Sequence, residues 1–163
     1  MTGQDELSIL AEVGIGLAGF SGVVFAIRGG DDTHGWARYR ALGLLATSFH
    51  VLFLSLIPFV IHAFGADGPQ LWRLSAAVGL LVTLPTPVAM LRAQPEGYAS
   101  SAYIRISSII SFALAIPAYG ALILNALALG TEGSFAFYFL GVVLTLAIAV
   151  PQFIVVLIAP SRE

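Results

Sequence analysis

The chain has 163 residues, of which 58% are hydrophobic and 10% are charged. An ordinary globular domain carries about 25% charged residues, so water is not the main solvent of this protein. The formal net charge of −2 includes no basic patch, which argues against nucleic acid as a partner. Cysteine is absent, and this excludes disulfides, thiolate nucleophiles and cysteine-bound metal clusters.

All seven basic residues are arginine, and lysine is absent. Lysine codons are AT-rich and arginine codons are GC-rich, so this bias predicts a GC-rich, bacterial genome. It also excludes a Schiff-base lysine, and with it a retinal or pyridoxal cofactor. We therefore expect a protein of the bacterial inner membrane.

Five apolar runs are each long enough to cross a hydrocarbon core of about 30 Å at about 1.5 Å per residue. They fall near residues 7–27, 41–64, 71–91, 104–129 and 134–159. Each run predicts a helix, because a spanning segment must satisfy its own backbone polar groups. The sequence thus predicts an all-α, polytopic membrane helix bundle that forms a single transmembrane domain over residues 1–163.

The connections between these five spans differ in charge. Only Arg73 lies on one side of the predicted membrane, and the other arginines lie on the opposite side. Those are Arg28, Arg38, Arg40, Arg92, Arg105 and Arg162. Because arginine-rich loops remain in the cytoplasm, the pattern predicts an N-terminus outside and a C-terminus inside the cell.

Spans two and three resemble spans four and five. At an offset of 65 residues, Arg40 aligns with Arg105, and the loop at 65–68 aligns with the loop at 130–133. Both copies would enter the membrane from the same side. The pattern predicts one helix followed by two duplicated, parallel helical hairpins, with chance similarity between apolar helices as the alternative.

Span one carries a stripe of small residues that includes Gly14, Ala18 and Gly22. Small residues at such steps let a second helix backbone approach closely in lipid. The stripe therefore predicts a helix-packing face. Its partner is either another helix of this chain or the same helix of a second copy.

Glu12 lies about one and a half turns inside span one. An ionisable residue within a membrane span usually marks a functional site, and His62 and Asn125 are candidate donors in the same half of the membrane. As an alternative, Glu12 reaches the lipid headgroups or is protonated.

Two histidines, His50 and His62, lie on span two. They are twelve residues apart, which places them about 120° apart around a helix, so they cannot bind one metal together. No further membrane histidine is present to complete a bis-histidine haem site. We therefore predict no metal and no cofactor, and interpret His50 as a hydrogen-bonded core residue.

Proline and small polar residues interrupt the later spans. Pro85 and Pro87 flank Thr86 and follow Thr83, so two backbone carbonyls lose their usual donors. Such a site either lines a cavity, as broken helices do in transporters, or is an ordinary kink satisfied by the two threonine hydroxyls. Gln152 belongs to a polar stripe on span five that either binds neighbouring helices or lines a narrow wet path.

No nucleophile with a base, paired carboxylates or nucleotide-binding loop is present, so an enzyme is not expected. Two functions remain. The first is a passage or transporter for a small solute, ion or proton. The second is a non-catalytic structural or accessory subunit of a membrane complex, with a homo-oligomer or another membrane protein as partner beside the lipid bilayer.

Overall fold

The computed structural model describes residues 3–28, 36–95, 102–130 and 132–158. Every regular element in this part of the chain is a helix, which confirms the predicted all-α fold. The helices are α1 (Gln4–Arg28), α2 (Trp36–Ala63), α3 (Gly68–Thr83), α4 (Pro85–Arg92), α5 (Ala102–Ala126) and α6 (Phe135–Ile158). Of the predicted features, Arg162 and the last residue of the fifth span lie outside the described residues.

Helices α3 and α4 continue one another through Leu84. This residue has helical torsion angles, φ −60° and ψ −36°, and its N–H donates to the carbonyl of Leu80 at 2.9 Å. Helices α3 and α4 therefore count as one span. Five segments are then long and apolar enough to cross a membrane: Gln4–Val24, Arg38–Ala63, Gly68–Arg92, Ala102–Ala126 and Phe135–Leu157. The number of spans agrees with the prediction and is consistent with a multi-pass membrane protein.

Four of the spans form a ring. Helix α2 packs against α3, α3 against α5, α5 against α6, and α6 against α2. Helix α1 lies outside this ring, where it packs mainly against α2 and touches α6 only slightly. The ring therefore holds the interior of the bundle.

The main core occupies one half of the ring, which we call the closed half. It is built from buried apolar side chains of α2, α3, α5 and α6, among them Val51, Leu54, Ala76, Leu122, Tyr138 and Val142. The Trp72 ring lies 5.0 Å from that of Phe135 and 5.7 Å from that of Tyr138, measured between centroids. Aromatic packing thus seals this half.

The loops at the closed half bring the two hairpins together. Gly65 ends α2 with φ +90°, a left-handed conformation that glycine adopts without steric cost. Gly133, with φ +84°, lies so close to α3 that an added Cβ would overlap the carbonyl oxygen of Pro69. The α5–α6 loop is therefore packed on the start of α3.

Candidate functional site

The other half of the ring, which we call the open half, contains a cavity of about 410 Å³. Helices α2, α4, α5 and α6 line it. Its polar lining residues are Tyr39, Arg40, Thr47, His50, Thr86, Gln94, Arg105, Ser107, Ser108, Ser111, Tyr119, Thr145 and Gln152. The volume lies within the range of about 300–1,000 Å³ typical of small-ligand sites.

The cavity exists because α3 packs closely on its neighbouring helices and α4 does not. Helix α3 packs on α2, α5 and α6, and its buried residues include Trp72, Gly79 and Thr83. Helix α4 has no buried residue and makes few contacts with α2, α5 or α6. The change occurs at Leu84, where the two prolines begin, so the proline-rich segment marks the boundary between the halves.

Two side-chain hydrogen bonds hold α4 to α2. His50 Nε2 lies 2.9 Å from Thr86 Oγ1, and the Tyr39 hydroxyl donates to the carbonyl oxygen of Met90 at 2.7 Å. Both bonds lie at the cavity wall. Helix α4 is thus connected to α2 by polar contacts instead of a packed apolar face.

A further polar pair joins α2 to α6 across the cavity. The Thr47 hydroxyl contacts Gln152 Oε1 at 3.0 Å and the carbonyl oxygen of Gly43 at 2.9 Å. The absence of a side chain at Gly43 leaves room here, since an added Cβ would lie 3.4 Å from Met90 Cε and 3.9 Å from Gln152 Oε1. Gly43 therefore widens the cavity between α4 and α6.

The cavity begins at two arginines and ends near mid-depth. Arg40 and Arg105 lie at its mouth, and His50 is ten residues beyond Arg40, about 15 Å along the helix. At the deep end lies Tyr119, which is the lining residue of α5 farthest along the helix from Arg105. Beyond this point the buried core of the closed half begins, so packed side chains bound the cavity at its deep end.

The charges at the cavity have one sign. Arg40 and Arg105 line it, and no carboxylate does so among the described residues. The other titratable side chains that line the cavity are tyrosines and one histidine, His50. The open half is therefore suited to an uncharged or anionic solute, because a cation would meet like charge at the mouth.

The structure brings together three of the predicted site residues. His50, Thr86 and Gln152 line the same cavity. Thr83 lies next to its deep end, is 1% exposed, and donates to the carbonyl oxygen of Gly79 at 2.8 Å. The hydroxyls of Thr83 and Thr86 are thus engaged away from the carbonyls that Pro85 and Pro87 leave without donors.

The other predicted site residues lie elsewhere. His62 is in the loop region of the closed half, where its Nδ1 is 2.8 Å from Asp67 Oδ1 and 3.2 Å from the carbonyl oxygen of Ala66. Glu12 is exposed on α1, outside the ring. Neither belongs to the cavity, and Glu12 contacts neither of its candidate donors, His62 and Asn125.

Asn125 is a structural contact of the closed half. It is fully buried, donates through Nδ2 to the carbonyl oxygen of Trp72 at 3.3 Å, and accepts the Ser134 N–H at 2.7 Å. Nearby, the buried Tyr138 hydroxyl donates to the carbonyl oxygen of Leu54 at 2.6 Å. These bonds connect helices that the aromatic core also holds.

The predicted packing stripe on α1 differs along its length. An added Cβ at Gly14 would lie 3.0 Å from Leu52 N and 3.1 Å from Ser48 O, so the two backbones are in close contact there. Ala18 is half-buried, but Gly22 faces open space. Ser21, seven residues after Gly14, is buried in its place. A step of seven residues returns to the same face of a helix, whereas two steps of four move around it.

Several lining residues were not singled out by the sequence. Tyr39, Thr47 and Tyr119 are of ordinary types in apolar surroundings and carry no local signal. Arg40 and Arg105 align in the repeat, and in the sequence they indicate the orientation and the duplication but not a shared site. Their common position at one cavity depends on how α2 and α5 pack in three dimensions.

A metal site has no support in the residues that the structure describes, among which no three His, Asp or Glu side chains form a group. The cavity lining instead offers hydroxyl, imidazole, amide and guanidinium groups, which bind organic or anionic solutes by hydrogen bonds. No protein-family model matches this chain, and no curated protein or solved structure shows significant similarity to it.

Proposed function

We propose that this protein is a non-enzymatic membrane transporter for a small solute, with the cavity of the open half as its substrate site. The observation that carries the proposal is the cavity itself, which extends from Arg40 and Arg105 to Tyr119 and is bounded at its deep end by the packed core of the closed half. A solute site near mid-depth, flanked by a helix interrupted by prolines, is the arrangement used by many secondary transporters.

A carrier fits this geometry better than an open pore. Alternating access requires the open half to close over the solute before the closed half separates for release, and α4 is a place where the first of these movements costs little. Helix α4 is held by the His50–Thr86 and Tyr39–Met90 hydrogen bonds and buries no side chain. Movement of α4 about Leu84 would alter access to the cavity without disturbing the aromatic core.

The orientation follows from the arginines. We propose an N-out, C-in topology in a bacterial inner membrane as one transmembrane domain, because Arg38, Arg40, Arg92 and Arg105 belong to the predicted cytoplasmic side. Arg73 lies at the opposite end, where its side chain is near Gly133. In this orientation the cavity opens toward the cytoplasm.

We also propose that the two hairpins arose by duplication. The loops that align at an offset of 65 residues share left-handed glycines, Gly65 with Gly130 and Gly68 with Gly133. In both hairpins a threonine, Thr83 or Thr145, donates to the glycine carbonyl four residues before it at 2.8 Å. These matched details support the proposal in addition to the aligned residue types.

Flux measurements with filled cavities test the function. Purified protein is reconstituted in vesicles, and uptake is measured for protons, potassium, chloride and a series of alkanesulfonates. We expect uptake of one member, and its loss in Ala115→Trp, because Ala115 lines the cavity. Ala113→Trp is the matched control, since Ala113 is exposed on the same helix and does not line the cavity. Absence of all fluxes in the wild type, or equal loss in both variants, would reject transport.

A second candidate function, an accessory subunit, is favoured by the outer face of α1. Glu12, Gly16 and Gly19 share this face and are exposed, and an added Cβ at either glycine would meet nothing. An exposed carboxylate at this depth is costly in lipid, and a partner helix would cover it. This function predicts no flux, and a change of assembly size in Gly19→Leu by mass photometry.

A further inference from the structure

We infer that the cavity binds an amphiphilic anion, a molecule with one anionic group and an apolar body. The anionic group lies at the mouth, at Arg105, and the apolar body lies between α4 and α5. The inference rests on the proposed function in that it takes this cavity as the substrate site, and it specifies the class of substrate.

The first step is the charge at the mouth. Arg105 and Arg40 come from α5 and α2 and meet at one cavity. Arg105 forms no ion pair with any carboxylate in the described part of the chain. Guanidinium groups bind carboxylate, sulfonate and phosphate oxygens through paired N–H donors, so the mouth selects an anion.

The second step is the engagement of the deeper polar groups. His50 is bonded to Thr86, and Thr47 to Gln152, at 2.9 and 3.0 Å. Thr145 donates to the carbonyl oxygen of Gly141 at 2.8 Å. Ser111 Oγ also lines the cavity and is buried without a hydrogen-bond partner among the described residues. One hydroxyl replaces only a small part of the water around a hydrophilic ion at this depth, so burial of such an ion would be costly.

The third step is the apolar wall. Leu91 on α4, Ile109 and Phe112 on α5 and Ile148 on α6 all line the cavity. Helices α4 and α5 make few contacts with each other although both border it. The cavity is therefore accessible from the side, between these helices, where a membrane would place hydrocarbon. An apolar body enters there and leaves the anionic group at Arg105.

Two sources share this chemistry: a lipid with an anionic headgroup, and a free amphiphile such as an alkanesulfonate. The test measures equilibrium binding to the purified, full-length protein in a non-ionic detergent. The probes are dioctanoyl-phosphatidylglycerol, decanesulfonate, dioctanoyl-phosphatidylcholine and methanesulfonate. The third carries a chain without net charge, and the fourth carries a charge without a chain.

We expect phosphatidylglycerol or decanesulfonate to bind at least about tenfold more tightly than phosphatidylcholine, since a charge-assisted bond is worth about this factor or more. They should also bind at least about tenfold more tightly than methanesulfonate, because burial of each CH₂ group contributes about 0.8 kcal/mol. Arg105→Gln weakens binding about tenfold. Arg73→Gln, with the same loss of charge at the far end, leaves it unchanged. Preference for phosphatidylglycerol identifies a lipid substrate, and preference for decanesulfonate identifies a free amphiphile.

Equal affinity for charged and uncharged probes, tighter binding of methanesulfonate than of decanesulfonate, or insensitivity to Arg105→Gln would overturn the inference. Ala115→Trp keeps both arginines and should abolish binding, whereas Ala113→Trp should not. Flux of potassium or chloride without binding of an amphiphile would reject the inference and retain transport. Binding with this specificity but no flux would retain the site and reject transport.

Discussion

The two halves of the helical ring use similar side chains in opposite ways. In the closed half, Tyr138 donates to a buried carbonyl of α2, and Asn125 joins α5 to α3 and to the following loop. In the open half, Tyr39 and Gln152 make the same kinds of bonds at the wall of a cavity. Similar polar groups therefore lie among packed apolar side chains in one half and beside a cavity in the other.

This difference in packing should make the closed half rigid and allow α4 in the open half to move. Bonds of the closed half lie within the aromatic core around Trp72, so breaking one exposes a buried group. Bonds of the open half border empty space, so breaking one frees a helix. Substitutions that remove equivalent groups from the two halves should separate these effects.

The largest effect is expected for Asn125→Ala. The substitution leaves the Ser134 N–H without its acceptor and removes a second donor from the Trp72 carbonyl, which keeps its helical hydrogen bond within α3. A buried polar group without a partner costs about 1–3 kcal/mol. We expect the free energy of unfolding to fall by about 3 kcal/mol, measured by denaturant titration in detergent micelles.

Gln152→Ala is the counterpart in the open half. Thr47 keeps its bond to the Gly43 carbonyl when Gln152 is removed, so the loss should stay below about 1 kcal/mol. Equal losses in the two variants would show that the halves do not differ in packing.

A smaller effect is expected for Gly141→Ala. The new Cβ would lie 2.8 Å from Leu122 Cγ and 3.3 Å from the Ala118 carbonyl oxygen. Overpacking of this kind costs about 1–3 kcal/mol, and the melting temperature should fall. Gly43→Ala meets only ordinary contacts and gains up to about 1 kcal/mol of helix propensity, so its melting temperature should be unchanged or higher. A lower melting temperature for Gly43→Ala than for Gly141→Ala would contradict the comparison.

The smallest effect on stability, and the one that best reports mobility, comes from two tyrosine variants. Tyr138→Phe removes a buried hydrogen bond of 2.6 Å and should cost about 1 kcal/mol. Tyr39→Phe removes the bond of 2.7 Å that holds α4 and should leave global stability nearly unchanged.

Maleimide labelling of Met90→Cys measures the release of α4, because the chain has no other cysteine. The labelling rate should rise when Tyr39→Phe is added and stay constant when Tyr138→Phe is added. If Tyr138→Phe accelerates labelling as much as Tyr39→Phe does, the two halves open together and α4 has no independent movement.

Much of the fold could be predicted because the membrane imposes strong constraints on sequence. Five apolar runs of sufficient length predict five helices, and the ends of those helices agree to within a few residues. The close contact expected at Gly14 is present for the same reason, since only a small residue allows the backbone approach. Periodicity did not predict that Gly22 turns away, because this depends on the angle at which α1 crosses α2.

The sequence by itself determined the helical class, the number of spans and the polar residues available within them. Only the tertiary structure decided which of these residues meet: His50, Thr86 and Gln152 at a cavity, Asn125 in a sealed core, and Glu12 outside the ring. The physical reason is that burial and hydrogen bonding depend on contacts between helices distant in sequence. Local pattern specifies each helix, but it does not specify its rotation or its neighbours.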